Sequence, residues 1–341
     1  MCKATLVRLV TQRGQIVIIR RREFLRWASS IAALNAAVAT ARADAYPSRP
    51  VRIIIATTAG GSTDIVARTL AQWLTDELGQ SFVAENRPGG NNNVGTELAA
   101  HAAPDGYTLF MANSVNTINT ALYSNLTYDF VADFAPIVHA MSSPLLMMVH
   151  PSVPAKTLPE FIAYAKANPD KLSMGSGGNG STGHLAGELF AMMAGVRMIH
   201  VPYRGESAAM TDLLGGQPQV AFLTTGSSIS FVRAGSARAL AVTSSSPLLG
   251  LPDVPPMAQF LPGYSAYGWS GLCAPKGVPA DIIGLLNRSL DAALADPAMR
   301  GRIAEMGGIA PGGSPADFAS FIAEDIEKWK KVAAFAGVTV N

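Results

Sequence analysis

The chain has 341 residues, of which 49% are hydrophobic and 15% are charged. A chain of this length and composition can bury large cores, which excludes an intrinsically disordered protein. The formal net charge is only +2 at pH 7, and no extended run of lysines and arginines follows Arg26, so a nucleic-acid-binding function is excluded on electrostatic grounds.

The first 45 residues have the features of a secretory signal peptide. A basic segment at 20–22 precedes an uncharged stretch at 27–41, and the small-x-small sequence at 43–45 is a suitable cleavage site. The apolar stretch is too short to anchor the chain stably in a bilayer. The paired arginines ahead of Phe24 and Leu25 also fit a twin-arginine signal. We therefore predict cleavage near residue 45 and export to the periplasm.

Loss of this segment changes the charge of the protein. Without its eight basic and two acidic residues, the mature chain keeps 18 basic and 22 acidic residues, a net charge of about −4. Of the two cysteines only Cys273 remains, so the mature chain can form no internal disulfide. A chain with large cores does not depend on one.

The first predicted elements form an anion-binding turn. Residues 51–57 are an apolar, β-branched run that predicts a buried strand. Gly60 and Gly61 allow a tight reversal, and the polar residues 62–64 can cap a helix that runs to Gly79. A strand that turns through glycines into a helix leaves unpaired N–H groups at the positive end of the helix dipole. Such a turn binds carboxylate or phosphate.

Strand and helix signals alternate along the rest of the chain, which is typical of an α/β fold with mostly parallel sheets. The predicted strands are 51–57, 81–84, 107–112, 172–175, 197–201, 219–223, 238–242 and 267–274. The predicted helices are 64–78, 94–102, 157–168, 182–194, 206–214, 280–295, 297–306 and 315–334. Two α/β blocks, the first completed by the C-terminal segment, predict two lobes with a ligand cleft between them.

A second glycine-rich turn lies between the strand at 172–175 and the helix at 182–194. Within it, residues 178–183 satisfy the G-x-G-x-x-G pattern, which leaves open an exported nicotinamide- or flavin-dependent oxidoreductase. A merely structural turn also remains open. Three observations favour a small anion instead. The motif lies in the middle of the chain, no strand near 203–206 ends in an acidic residue, and the first turn is a second anion-binding turn in the same chain.

Other catalytic patterns are missing from the sequence. No lysine follows Gly60 and Gly61 as a phosphate-binding P-loop requires, and no Gly-x-Ser-x-Gly elbow is present. The five histidines have no metal-ligand spacing. We therefore predict a protein that is not an enzyme and uses neither cofactor nor metal. For His184, helix capping or packing and ligand contact both remain open.

The mature chain resembles one receptor family over essentially its whole length. The segments that carry the resemblance are Tyr46–Ile55, Gly60–Asp64, Glu85–Gly89, Pro104–Leu109, Gly178–Glu188, His200–Gly205, Asp212–Gly216, Leu251–Pro255 and Ala274–Pro279. In this order they are similar to the extracytoplasmic substrate-binding proteins of tripartite tricarboxylate transporters, also called Bug-type receptors.

The resemblance implies a two-lobed, periplasmic-binding-protein-like (Venus-flytrap) fold. We expect lobe 1 to comprise residues 46–147 and 264–341 and lobe 2 to comprise residues 148–263, with hinges near 146–150 and 243–264. The family further implies a small organic acid as ligand and a membrane permease of two subunits as partner. We expect a monomer, and a receptor that senses its ligand without transport is the alternative within this family.

The same resemblance places the ligand on the two glycine-rich turns, with flanking contacts after the third strand and in the second lobe. The predicted ligand-binding residues are Thr58, Gly60, Gly61, Ser62, Thr63, Asp64, Asn113, Ser114, Ser176, Gly180, Ser181, Thr182, His184, Tyr203 and Thr225. This chain departs from the family in two places near the cleft. Ala56, Thr57 and Ala59 stand where prolines are usual, and the loop at 88–93 is bulkier and more polar. The identity of the acid therefore does not follow from relatives.

Overall fold

The computed structural model describes residues 6–10, 16–20, 46–248 and 250–339. The chain divides into two compact units, Met1–Ser48 and Arg49–Asn341. In the first unit, β1 (Leu6–Val10) pairs antiparallel with β2 (Ile16–Arg20). The signal-peptide features that follow β2 lie outside the described residues, so the signal peptide stays a prediction.

The second unit is an α/β structure. Its strands are β3 (Val51–Ile55), β4 (Phe82–Asn86), β5 (Thr108–Asn113), β6 (Phe134–Val149), β7 (Ser173–Ser176), β8 (Ile199–Pro202), β9 (Val220–Thr224), β10 (Arg238–Val242) and β11 (Tyr267–Pro275). Its described α-helices are α1 (Ser62–Leu78), α2 (Asn93–Ala100), α3 (Ser114–Leu122), α4 (Leu158–Ala167), α5 (Thr182–Ala194), α6 (Glu206–Leu214), α7 (Thr225–Arg233), α8 (Ala280–Ala295), α9 (Pro297–Glu305) and α10 (Pro315–Ala336). None of the described helices is long and apolar enough to cross a membrane.

One sheet runs through this unit in the order β4-β3-β5-β11-β6-β9-β7-β8, and β10 also pairs with β6. The outer strands are parallel, since β3 pairs in parallel with β4 and β5, and β7 with β8 and β9. The long strands β6 and β11 run antiparallel to their neighbours. The predicted α/β fold is confirmed, and the long strands add antiparallel pairing at its centre.

Strand β6 changes partners along its length. Residues up to Pro144 pair with β11, whereas Leu145–Val149 pair with β9. We call the part built on β3, β4 and β5 the first half of the sheet, and the part built on β7, β8 and β9 the second half. These halves are defined by the pairing of the strands. The predicted boundaries of the lobes, at 147 and 263, stay predictions.

Separate hydrophobic cores cover the two halves. The first includes Phe110, Phe134, Trp269 and Phe318, and the largest core on the second half includes Met147, Phe161, Phe190 and Phe222. A third cluster around Leu146, Leu213 and Leu223 packs on the second half as well. Helix α10 contributes to both main cores, with Phe318, Ile322 and Ile326 in the first and Trp329, Val332 and Ala333 in the second. The halves therefore share one continuous helix.

Two α-helices, one 3₁₀-helix (Met257–Gln259) and most of one strand of this unit were not predicted from the sequence. Helices α3 and α7 lie in segments without a predicted element, and β6 is a strand of 16 residues where the sequence indicated only the start of a new block near Leu145. Helix α1 also begins two residues earlier than predicted, at Ser62.

Candidate ligand cleft

A cleft of about 190 Å³ lies where several helices begin. It is lined by Thr57, Ser62, Thr63, Asn92, Asn113, Ser114, Val115, Met141, Ser143, Thr182, Thr224, Gly268, Trp269 and Ser270. Helices α1, α3 and α5 each contribute residues of their first turn, and Thr224 is the N-cap of α7. No charged side chain belongs to this lining. Helix dipoles, amides and hydroxyls therefore set its electrostatics.

The first turn presents backbone donors to the cleft. Gly61 is the N-cap of α1 and makes no side-chain capping bond. In the described part of the chain, no acceptor receives the N–H groups of Ser62 and Thr63. Gly60 has φ of +89°, a conformation that glycine adopts readily and that closes the reversal. The start of α1 can thus donate hydrogen bonds to an anion.

Asp64 stabilises this turn from the inside. It is only 3% exposed, and its carboxylate accepts the Gly60 N–H at 2.9 Å, the Asn86 Nδ2 at 2.9 Å and the Arg68 Nε at 3.0 Å. Burial raises the pKa of Asp64, but the bonds from Arg68, Gly60 and Asn86 outweigh it and the pKa lies below its usual value. The charge of Asp64 is thus compensated within the turn, and Asp64 does not line the cleft.

Asn113 supplies an unused donor. It ends β5, is 4% exposed and caps α3, with its Oδ1 accepting the Val115 N–H at 2.9 Å and its N–H donated to Asn116 Oδ1 at 2.8 Å. Its Nδ2 is buried and has no hydrogen-bond partner among the described residues. Thr57 also lies on the cleft wall, and its Oγ1 is likewise buried without a hydrogen-bond partner among the described residues. Buried polar groups are rarely left without partners, so both point to a ligand.

The asparagine-rich loop fixes the orientation of Asn113. Asn91 and Asn92 adopt left-handed φ values of +51° and +73°, which asparagine tolerates better than most residues. Asn92 Nδ2 donates to Asn113 Oδ1 at 3.0 Å. Asn119 Nδ2 holds the loop through the Asn91 carbonyl at 2.7 Å and the Asn93 Oδ1 at 2.8 Å. With both acceptor positions of Oδ1 in use, the Asn113 amide keeps Nδ2 as an unpaired donor on a residue of the cleft wall.

The second turn meets the first half of the sheet at the cleft. Ser181 caps α5 by accepting the His184 N–H at 3.3 Å, and Thr182 follows on the wall. Thr182 Oγ1 lies 2.8 Å from Ser114 Oγ, so the starts of α5 and α3 are directly linked. A Cβ at Gly183 would lie 2.3 Å from the Phe222 carbonyl oxygen. This glycine is therefore explained by close packing of α5 on β9.

Two stacked histidines support the second turn. The His184 and His200 rings are 3.7 Å apart and nearly parallel. Gly180 N–H donates to His184 Nδ1 at 3.2 Å, and His200 Nε2 lies 2.7 Å from Ser176 Oγ. Burial, together with the charge of His200, lowers the pKa of His184 to about 3, and burial lowers that of His200 to about 4. Both rings are neutral at pH 7, and His184 packs within the turn.

Tyr203 and Thr225 also bind protein groups instead of lining the cleft. Tyr203 packs in the third cluster, and both burial and a side-chain bond with Asp212 raise its pKa. Thr225 Oγ1 donates to the Gly307 carbonyl at 2.6 Å. Its neighbour Thr224 is the residue that reaches the wall.

The structure thus brings one third of the predicted site residues to the cleft wall. These are Ser62, Thr63, Asn113, Ser114 and Thr182. The predicted residues that do not line it are Thr58, Gly60, Gly61, Asp64, Ser176, Gly180, Ser181, His184, Tyr203 and Thr225. Thr57 and Asn92 lie in the two segments that the sequence placed near the cleft, although neither was a predicted ligand-binding residue. The wall residues that the sequence did not indicate are Val115, Met141, Ser143, Thr224, Gly268, Trp269 and Ser270.

The chain is similar in sequence to a family of transport receptors and in fold to solved periplasmic proteins. The sequence model of one protein family, described as the tripartite tricarboxylate transporter family receptor, matches residues 66–337 of this chain. Protein BugT of Bordetella pertussis is 34% identical over 302 residues, which cover 88% of this chain and 93% of BugT. Among solved structures, Rhodopseudomonas palustris Rpa4515 with adipate is 34% identical, with a TM-score of 0.76 over 86% of this chain and 99% of that one.

A second solved structure supports the same grouping. MatC (Rpa3494) from R. palustris with bound malate is 30% identical and has a TM-score of 0.72, covering 84% of this chain and 99% of its own. These matches confirm both the predicted family resemblance and the periplasmic-binding-protein-like fold.

Proposed function

Because this chain belongs to the tripartite tricarboxylate transporter receptor family, we propose that it is a periplasmic receptor that captures a small organic carboxylate for a two-subunit membrane permease. The observation that carries this proposal is the cleft of about 190 Å³, in which helix starts and the unpaired Asn113 Nδ2 face the ligand and no charged side chain competes. A carboxylate would receive the hydrogen bonds that these groups leave unused.

The relatives support a small acid of this kind. Adipate and malate, the ligands described for Rpa4515 and MatC, are both short dicarboxylic acids. The receptor itself performs no chemistry on its ligand in this proposal, and it acts as a monomer whose lobes close on the acid. Differential affinity for the closed form would drive that closure.

A thermal-shift screen against organic acids tests the proposal. Purified protein, freed of bound ligand by unfolding and refolding, is heated with each acid in turn. An acid at 100 times its dissociation constant should add about 2.7 kcal/mol to the free energy of unfolding. The absence of a shift with every carboxylate would contradict the proposal.

Replacement of Asn113 by aspartate tests the site itself. Asn113→Asp keeps an oxygen for the Val115 N–H and for Asn92 Nδ2, and aspartate is a good N-cap. It removes the Asn113 side-chain donor, which has no partner among the described residues, and sets a negative charge against the ligand. We expect the dissociation constant, measured by calorimetry, to rise roughly hundredfold or more.

The control is Asn125→Asp, which adds the same charge at an exposed loop position after α3. This variant should bind like the unchanged protein. Equal affinities for Asn113→Asp and Asn125→Asp would remove Asn113 from the site.

A further inference from the structure

We propose, building on the carboxylate receptor described above, that the ligand carries a hydrogen-bond donor at the end opposite its carboxylate, and that Glu206 sets this requirement. The donor is an ammonium or a hydroxyl group. At that end of the cleft, the hydroxyl groups of Thr224 and Ser143 both send their protons to protein acceptors.

The end of the cleft over β3 and β5 offers donors. The Asn113 Nδ2 and the N–H groups at the start of α1 have no acceptor among the described residues. The link between Ser114 Oγ and Thr182 Oγ1 brings the positive start of α5 to the same end. This is the end that suits a carboxylate.

The end over β9 differs because Glu206, which does not line the cleft, lies directly behind the wall residue Thr224. The Glu206 carboxylate accepts hydrogen bonds from Thr224 Oγ1 at 2.5 Å, from Ser227 Oγ at 2.6 Å and from the Thr224 N–H at 3.3 Å. These donors lie at the start of α7. The positive end of the α7 helix dipole is therefore neutralised by a carboxylate of the protein itself. Thr224 Oγ1 has given its single proton to Glu206, so it faces the cleft as an acceptor.

Ser143, on β6, is oriented in the same way. Thr225 uses its single hydroxyl proton on the Gly307 carbonyl at 2.6 Å. Ser143 Oγ lies 3.2 Å from Thr225 Oγ1 and 3.4 Å from the Gly307 carbonyl oxygen, and both can only accept from it, so Ser143 is the donor in either bond. Its proton points away from the cleft, and its lone pairs remain for the ligand. Both hydroxyls at this end thus accept.

The two ends lie on opposite sides of β11. Asn113 ends β5 on one side of that strand, whereas Ser143 and Thr224 belong to β6 and β9 on the other. Trp269 of β11 and Met141 contribute apolar surface to the wall. A ligand that spans the cleft must therefore match donors at one end and acceptors at the other.

This polarity disfavours an ordinary dicarboxylate. A second carboxylate would meet the Thr224 and Ser143 hydroxyl oxygens, whose protons are already used, with the Glu206 charge directly behind Thr224 Oγ1. A hydroxyl group would satisfy the acceptors, and an ammonium group would in addition be attracted by Glu206. We expect affinity to fall in the order ammonium, hydroxyl, carboxylate.

Three acids that differ only at one end test this order on the unchanged protein. They are 4-aminobutyrate, 4-hydroxybutyrate and succinate, with a second set of 6-aminohexanoate, 6-hydroxyhexanoate and adipate for a longer span. Calorimetry should give dissociation constants for the amino or hydroxy acid at least roughly tenfold below that of the matching dicarboxylate. A dicarboxylate that binds as tightly as its two counterparts overturns the inference while the carboxylate receptor stands. Failure of every acid in both sets and in the wider screen overturns the receptor proposal as well.

The Glu206→Gln variant tests the residue. Glutamine keeps an oxygen for the Thr224 N–H but removes the charge and can donate from its amide. We expect the ratio of affinities between amino acid and dicarboxylate to fall roughly tenfold or more. The control is Glu324→Gln, at an exposed position of α10, which should leave the ratio unchanged. An unchanged ratio in Glu206→Gln, with circular dichroism showing a folded protein, would overturn the role of Glu206.

Discussion

The stacked rings of His184 and His200 support the second turn only while both are neutral. The His184 Nδ1 accepts the Gly180 N–H, so it must carry a lone pair and not a proton. His184 is 3% exposed, and a charge on either ring would lie 3.7 Å from its neighbour. The geometry of the residues around the anion turn therefore depends on the protonation state of this pair.

The pair predicts a loss of stability in mild acid. The pKa values of His184 and His200 lie near 3 and 4, below the ordinary 6.5, so between about pH 6.5 and 4 the unfolded chain binds more protons than the folded one. Folding stability should then fall as the pH is lowered through this window. Each buried histidine contributes up to about 1.4 kcal/mol per pH unit to the slope.

Urea unfolding between pH 7 and 4.5 measures this slope. His200→Gln keeps a group that can bond to Ser176 Oγ but removes one titrating ring. Its free energy of unfolding should fall less steeply with acidification than that of the unchanged protein. Identical slopes would show that His200 is not a source of the acid sensitivity.

At the residue scale, part of the cleft could be predicted from the sequence. Ser62, Thr63 and Thr182 follow glycine-rich turns between a strand and a helix, a pattern with a clear physical meaning. Ser143 and Trp269 lie inside long strands and reach the cleft through the path of the sheet, which periodicity does not reveal. Thr224 lies in the second half of the sheet and directly follows the predicted strand 219–223. Its position was therefore the best indication in the sequence that this residue reaches the cleft.

At the element scale, α3 shows why some helices escape prediction. Its sequence from Ser114 to Leu122 contains two threonines and two asparagines but only two strong helix formers, Ala121 and Leu122, and threonine and asparagine favour caps and turns. The helix forms because Asn113 and Asn116 build a capping box and because Ile118 and Leu122 enter the second core. The packing of Ile118 and Leu122 is a tertiary feature that local propensity does not contain, and the capping box uses an asparagine pair in place of the usual Ser/Thr and Glu/Gln.

Helix α5 depends on one glycine in its first turn. Because a Cβ at Gly183 would lie 2.3 Å from the Phe222 carbonyl oxygen, Gly183→Ala must push α5 away from β9. We expect a loss of about 3 kcal/mol in the free energy of unfolding and weaker ligand binding, since Thr182 moves with the helix. Urea unfolding and calorimetry measure the two effects.

The matched control is Gly301→Ala in α9. Gly301 is exposed within the helix, and a Cβ there would meet nothing within 4 Å. Alanine should therefore stabilise the protein by about 1 kcal/mol. A Gly183→Ala variant as stable as Gly301→Ala would show that the contact between α5 and β9 is not tight.

At the scale of the whole molecule, two further connections join the halves of the sheet, besides the strands themselves and the bond between Ser114 and Thr182. Helix α10 packs Ile322 into the first core and Trp329 into the second. The second connection is Thr243, which is fully buried and lies at the start of the predicted hinge 243–264. Its Oγ1 accepts the Leu145 N–H at 2.7 Å and donates to the Ala266 carbonyl at 2.6 Å. Thr243 thus joins both segments that cross between the halves.

Removal of this hydroxyl should destabilise the molecule as a unit. Thr243→Val has nearly the same shape but leaves the Leu145 N–H and the Ala266 carbonyl without that partner, which should cost about 2–4 kcal/mol. Thr243→Ser keeps the hydroxyl and should cost only about 1 kcal/mol, for one methyl group. Because α10 still spans both cores, unfolding followed by circular dichroism and by tryptophan fluorescence should stay a single transition in both variants. Two separate transitions in Thr243→Val would mean that Thr243, and not α10, couples the unfolding of the two halves. Equal stabilities of Thr243→Val and Thr243→Ser would show that the Thr243 hydroxyl does not connect them.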